Sequence, residues 1–441
     1  MNATGTLLGM RSITIARKQR IIQRESRIVT SLLLATWALI FIQPAQADMV
    51  TDWSVIATTT AALPVQGPVP QTRTYAMVHA AVHDALNAID RRYQPYALFM
   101  QGQVDASPDA AVAAAAHRVL VQALPPAQQP FLDAAYSDSL STIPDGASKD
   151  AGIAIGEAAA AAIIALRSSD GSNVPMPYTP GSAPGDWIPT PPGFLPASVP
   201  GWGNVTPFSL RSGAQFRLDP PKYFDLTSEE YAANYNEVKD IGDLLSSSRT
   251  VDQSAIAQFW YEASAQGWNR ITRIASAQHP LDLWENARLF ALVNFALADA
   301  YITHFDSKYL YNFWRPVTAI RAGDTDGNAA TVPDPAWTSF LVAPNIPDYP
   351  SGHSTVGAAA AMVLDRFFER DEVPFTATSG APFPGITRSF ASFSHAAAEN
   401  AESRVFAGIH FRTACADGVR LGKQVGRFVF NHSLKPVRPL K

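Results

Sequence analysis

A chain of 441 residues, 47% of them hydrophobic, is long enough to bury a large core, and 34 basic against 38 acidic side chains leave a net charge of −4. Taking away the leader argued below, with its six basic and one acidic residues, leaves 28 against 37, a net −9, which excludes nucleic acid as the natural partner. The lone cysteine, Cys415, rules out an intrachain disulfide, so stability must come from the size of the core.

Residues 1–47 read as a secretory signal peptide. Arg11, Arg17, Lys18, Arg20, Arg24 and Arg27 precede an apolar run from Ile28 to Ile42, and Ala45-Gln46-Ala47 presents small residues for cleavage. The run is short for a membrane anchor and carries Thr30, Ser31 and Thr36. The mature chain is therefore expected to start at Asp48, to be exported to a periplasm or the exterior, and to contain no membrane span. Residues 48–441 are expected to form a single helical domain.

Along that domain, residues 71–90 form an apolar-periodic helix with Met77, Ala81, Ala85 and Ala88 on one side. His79 and His83 stand at i and i+4 with Asp84 beside them, which is metal-ligand spacing. The His-Glu-x-x-His form is absent and no third ligand is evident, so the pair reads as packing. Helices over 107–124 and 149–167 are rich enough in alanine for close backbone approach, and His117 in the first reads as structural. From 168 to 225 the composition turns to Pro, Gly, Trp and Ser. This segment reads as a covering loop pinned by Trp187 and Trp202; an interdomain linker is the alternative, disfavoured because Ala-rich helical patterns flank both sides. Helices follow at about 228–245, 251–264 and 280–310, and the fold class is all-α, a helical bundle. Asp324-Thr-Asp-Gly-Asn328 resembles the start of a calcium loop, but Pro335 fills the twelfth position, so a turn is expected.

Three clusters carry the chemistry. In Tyr349-Pro350-Ser351-Gly352-His353-Ser354, Pro350 blocks helix upstream and Ser351 can cap a helix running to about Arg370. Gly352 lets a ligand reach the backbone, the free first-turn amides carry partial positive charge, and His353 sits where a proton must move. Lys308 and Arg315 would share a face about 10 Å apart on a continuous helix, which Pro316 ends or bends. Arg404 and His410 point about 120° apart on an unbroken helix, so the chain must break between them. Gly408 supplies the hinge: Arg404 finishes one helix and His410 opens the next, over about 411–430. Replacing Gly408 by Val is expected to cost activity far more than stability.

Lys308 followed after six residues by Arg315-Pro316, then Pro350-Ser351-Gly352-His353, then Ser403-Arg404 and, after five residues, His410 resembles the three-part signature of vanadium-dependent haloperoxidases and type 2 phosphatidic acid phosphatases. The stretches 75–93 and 287–321 look like bacterial secreted members of the haloperoxidase branch. The resemblance implies that Lys308, Arg315 and Arg404 hold the equatorial oxygens of vanadate, with phosphate able to occupy the same site. Ser351 Oγ and the Gly352 amide would donate to those oxygens, His410 would bond the metal axially, and His353 would be the acid–base group. A highly charged oxyanion needs several fixed donors, and forked Arg groups suit it.

Two reactions fit that scaffold. In a vanadate-dependent peroxidase, His353 would take a proton from hydrogen peroxide, Lys308 would polarise the activated oxygen, and halide or a small organic substrate would be oxidised, halide to hypohalous acid. In a phosphomonoester phosphatase, His410 would attack phosphorus to give a phosphohistidine while His353 protonates the leaving oxygen. A non-catalytic oxyanion-binding protein is a third reading. Two departures from the family pattern bear on the choice. Where the phosphatase motif has an Asp four residues after the last histidine, this chain has Ala414; Asp417, one turn further, could substitute only with a distorted helix start, and a backbone carbonyl could also do it. Ile346 stands where halide-oxidising relatives tend to carry an aromatic residue or a histidine.

Overall fold

The computed structural model describes residues 48–437 except 63 and 101; the leader inferred over 1–47 lies outside the described residues. The first half contributes α1 (Met49–Thr60), α2 (Pro68–Ile89), α3 (Pro108–Ala123), α4 (Gln129–Ser141) and α5 (Ala147–Arg167). A proline opens α2, where the missing N–H is no loss, and every residue from Tyr75 to Ile89 is buried. At the start of α3 the Ser107 side chain accepts the Ala110 N–H. Gly152 and Gly156 of α5 rest directly on α3: a Cβ on Gly156 would collide with the Ala111 carbonyl and reach 2.7 Å from Ala114 Cβ.

The histidines of this half are held by packing partners. His79 stacks on Phe290 at 5.2 Å, and His83 Nε2 lies 3.1 Å from the Gln94 carbonyl. Asp84 accepts the amides of Tyr96, Ala97 and Leu98 at 2.6–2.8 Å. His117 meets Asp133 at 2.8 Å and stacks on Tyr136 at 4.4 Å, both on α4, a helix that the apolar periodicity does not reveal.

Between residues 168 and 228 the regular structure is two single 3-10 turns, Trp202–Asn204 and Lys222–Phe224. Trp187 and Trp202 are buried. Asp299 fastens the segment by accepting the amides of Phe208, Ser209 and Leu210 at 2.6–2.9 Å.

The second half holds α6 (Glu229–Ile241), α7 (Val251–Phe259), α8 (Ser264–Ala277), α9 (Leu283–Tyr311), α10 (Pro316–Arg321), α11 (Gly352–Phe368), α12 (Phe393–Phe406) and α13 (Arg412–His432). Asp282 and Glu285 cap the 29-residue α9 reciprocally at 3.0 and 2.8 Å, and burial is continuous from Asn286 to Phe305, as in a helix enclosed on all sides. Asn312, in the left-handed region at φ 51°, ends it before Pro316 is reached. The single helix expected over 251–264 instead stops at Phe259. The carbonyls this releases at Trp260 and Glu262 serve the site described below. An antiparallel ribbon, β1 (Phe375–Thr378) with β2 (Thr387–Phe390) and Phe375 opposite Phe390, is the one sheet among the described residues of a fold that is all-α as expected. Gly418, Gly422 and Gly426 line the face of α13 that lies on α11. A Cβ at Gly418 would stand 2.7 Å from the Ser351 carbonyl, and one at Gly422 would collide with that of Thr355. Among the described residues, no helix is long and apolar enough to cross a membrane.

Candidate oxyanion site

Helix ends bring the cations together. Lys308 lies in the last turn of α9, Arg315 is the residue before α10, Ser351 precedes α11, and Arg404 ends α12. His410 occupies the turn before α13; its neighbour Gly408 has φ 74°, so the break required between Arg404 and His410 is present at the glycine. A Cβ at Gly408 would also collide with the Gly242 carbonyl. Substitution there must therefore cost stability as well as activity, which corrects the expectation of a mainly catalytic effect.

All three cations are buried to 1% exposure or less. Lys308 Nζ donates to the carbonyls of Pro347 and Asp348 at 2.7 and 2.8 Å, which leaves one ammonium proton without a backbone acceptor. Arg315 donates from Nε to the Ile346 carbonyl at 2.8 Å and from Nη1 to that of Ile409 at 2.7 Å, while Nη2 has no partner among the described residues. Arg404 donates from Nη1 to the Trp260 carbonyl at 3.0 Å, and its Nε is likewise unpaired. Carbonyls orient these side chains but cannot neutralise them. Buried donors left open in this way cost about 1–3 kcal/mol each until a ligand accepts from them.

Ser351 stands at the N-cap of α11, yet it does not cap: its Oγ accepts from Ser354 Oγ at 2.8 Å and its amide donates to the Ala414 carbonyl at 2.9 Å. The amides of the first turn of α11, Gly352 included, therefore have no side-chain acceptor and form the anion seat expected of a helix N-terminus. Ile346 enters through its carbonyl on Arg315.

The two histidines are held neutral. Burial and the charge of Arg404 push the pKa of His353 well below the ordinary 6.5. Its Nε2 lies 3.1 Å from the Glu262 carbonyl; with the proton there, Nδ1 carries the free lone pair. His410 is pushed well below 6.5 by burial, then by Arg315, Lys308 and Arg404. Asp348 Oδ1 lies 2.8 Å from His410 Nδ1 but out of line for a hydrogen bond, so with the ring neutral the contact is a close polar approach. Burial raises the pKa of the Asp348 carboxyl to about 7, with Arg315 and Lys308 opposing the shift. A carboxylate on Nδ1 favours the tautomer whose lone pair is on Nε2.

Asp348 thus takes the place expected of Asp417. Asp417 instead accepts from Tyr349 Oη at 2.7 Å and pairs with Arg420 at 3.0 Å. The sequence holds one usable clue, a carboxylate three residues before Ser351, which spacing counted forward from His410 does not reach. A cavity of about 570 Å³ opens onto His353 and Arg404, with Pro191, Leu195, Tyr261 and Pro344 in its walls. The long segment after α5 supplies part of that rim.

Residues 288–439 match the family model described as the VCPO second helical-bundle domain. The chain is 25% identical over 464 residues to the vanadium chloroperoxidase of Curvularia inaequalis, spanning 79% of this chain and 75% of that one. In sequence and in fold the chain is similar to vanadium haloperoxidases. A solved bacterial vanadium-dependent iodoperoxidase superposes with a TM-score of 0.78 at 26% identity, over 89% of this chain and 98% of that one. A holo-type bacterial vanadium-dependent chloroperoxidase shares the fold at TM-score 0.71 and 19% identity, over 89% and 98% of the two chains. The open buried donors and cationic charge of the residues just described fit a vanadate-sized oxyanion.

Proposed function

We propose that the protein is a vanadate-dependent haloperoxidase that uses hydrogen peroxide to oxidise halide to hypohalous acid. The observation that carries this reading is the convergence of Lys308, Arg315 and Arg404, each buried and each with donor capacity left by the protein, on the open start of α11 beside a neutral His410. Vanadate, when bound, supplies the Lewis acidity that activates peroxide toward halide. Lys308, Arg315, Arg404, Ser351 and the Gly352 amide would hold its oxygens, and His410 would ligate it through Nε2. His353 accepts the peroxide proton on Nδ1, where the Glu262 carbonyl keeps the ring in the required tautomer. Asp348 positions His410. The fixed charges need no rearrangement as negative charge develops, because backbone carbonyls already orient the guanidinium groups and the ammonium.

Phosphate ester hydrolysis through His410 is the competing chemistry. The test is a halide-oxidation assay on protein freed of phosphate and loaded with vanadate, run beside turnover of para-nitrophenyl phosphate. Vanadate-dependent halogenation of a dye supports the proposal, and ester turnover that vanadate inhibits, without halogenation, defeats it. Export after cleavage at Ala47 belongs to the same reading, on the strength of the basic and apolar leader. The N-terminal sequence of the protein recovered outside the cytoplasm tests it.

A further inference from the structure

One buried imidazole at this site has no role in the scheme above. His304 lies one helical turn before Lys308 on α9 and is 1% exposed. Neither ring nitrogen has a partner among the described residues. The ring sits beside Tyr301 and Phe305, with centroids 5.0 and 4.8 Å away, and neither offers it a hydrogen bond. Its Cε1–Nε2 edge is turned onto Gly352: a Cβ built there would stand 3.0 Å from Cε1 and 3.1 Å from Nε2. Gly352 is thus small for a reason besides ligand access, since a side chain would strike this imidazole.

A neutral imidazole carries one N–H donor and one acceptor, and burying both unpaired is costly. Histidine at this place is therefore a poor choice for packing alone, where phenylalanine would fill much the same space without orphaned polar atoms. Its orphaned edge faces the helix start that forms the anion seat. Burial, followed by the nearby charges of Lys308 and Arg315, keeps the ring neutral, so it serves as a dipolar donor and adds no fourth charge.

We propose that His304 is a further anion-binding residue, donating its Nε2–H to an oxygen of the vanadate held against Gly352. The proposal rests on the function proposed above and adds a donor from α9 to those supplied by the other helix ends.

The test uses phosphate-free protein with His304→Phe, which keeps the ring and removes the donor, and His304→Gln, which keeps a donor. Vanadate affinity by equilibrium titration, the vanadium NMR signal of the bound state, and thermal melting of the anion-free protein are measured for each, and inorganic phosphate serves as a second probe. His304→Phe is expected to bind vanadate about tenfold more weakly, with a shifted vanadium resonance, while melting at or above the wild-type temperature because orphaned atoms have been removed. His304→Gln is expected to recover part of the affinity. Wild-type affinity and an unchanged resonance in His304→Phe would overturn the proposal, as would a lower melting temperature with equal loss in both variants, the mark of a packing role. Failure of the wild-type protein to bind vanadate would count against the function itself, whereas wild-type binding with an unaffected His304→Phe counts against His304 alone.

Discussion

The pair α3–α5 and the pair α11–α13 are built alike, and only one of them makes a site. In each, a serine stands just before the first helix and its amide donates to the second: Ser107 to the Ser148 carbonyl at 2.8 Å, Ser351 to the Ala414 carbonyl at 2.9 Å. Four residues beyond each acceptor a glycine meets that serine's carbonyl, Gly152 in one pair and Gly418 in the other, and a second glycine follows one turn later, Gly156 and Gly422. A long helix backs each pair, and on it a buried aspartate, Asp84 or Asp299, clasps three successive amides of a loop. The first pair continues from Ser107 into Pro108, and the Ser107 side chain caps the helix. The second continues into Gly352 with no cap, and Lys308, Arg315 and Arg404 surround the open end. Close helix packing alone therefore creates no anion site. An uncapped helix start ringed by buried cations does.

The largest expected effect separates the two histidines of the second pair: His410→Ala reduces vanadate retention and halide oxidation to background, whereas His353→Ala still binds the anion in a vanadate titration and loses turnover. Retention of vanadate by both would mean that the ligand and acid–base roles are misassigned. Next come the aspartates. Asp348→Asn should weaken vanadate binding or activity by about 10–100-fold, as expected for a group that orients a metal ligand. Asp84→Asn, whose partners are loop amides, should register in thermal melting while the vanadate titration stays at the wild-type value.

The matched glycines sharpen the contrast further. Gly156→Ala and Gly422→Ala each push a Cβ into the carbonyl of the facing helix and should each cost about 1–3 kcal/mol in denaturant unfolding. Only Gly422→Ala should also weaken vanadate binding, because it shifts α13 against the helix start that seats the anion. Equal effects on binding would show that the halves are coupled more tightly than the packing implies.

The smallest effect is in the pH dependence. His79 and His83 are lowered by burial to about 3 and about 4, while His353 and His410 are lowered by burial and by neighbouring cations. A depressed histidine contributes stability that is present above the unfolded pKa near 6.5 and lost as pH falls, because the unfolded chain takes up protons that the folded one refuses. Anion-free protein should therefore lose stability as pH drops below about 6.5. Saturating phosphate offsets the cations and should flatten only the His353 and His410 share of that slope, which denaturant melts with and without phosphate can read.

By itself the sequence determined which residues could meet an oxyanion. Lys308, Arg315, Ser351, Gly352, His353, Arg404 and His410 stand in short motifs whose local grammar, a proline before a helix and a glycine where the helix must break, is written within a few residues of each. It also determined the long buried helices, because apolar periodicity is a local property. Tertiary structure alone decided what lies opposite each of those residues. Asp348 reaches His410 across two loops, His304 reaches Gly352 across two helices, and the carbonyls of Trp260 and Glu262 reach Arg404 and His353 only because the chain leaves helix after Phe259. Those partners are set by close packing between elements far apart in the chain, where small side chains fix the helix separation and a buried polar group takes whichever partner that separation leaves within reach.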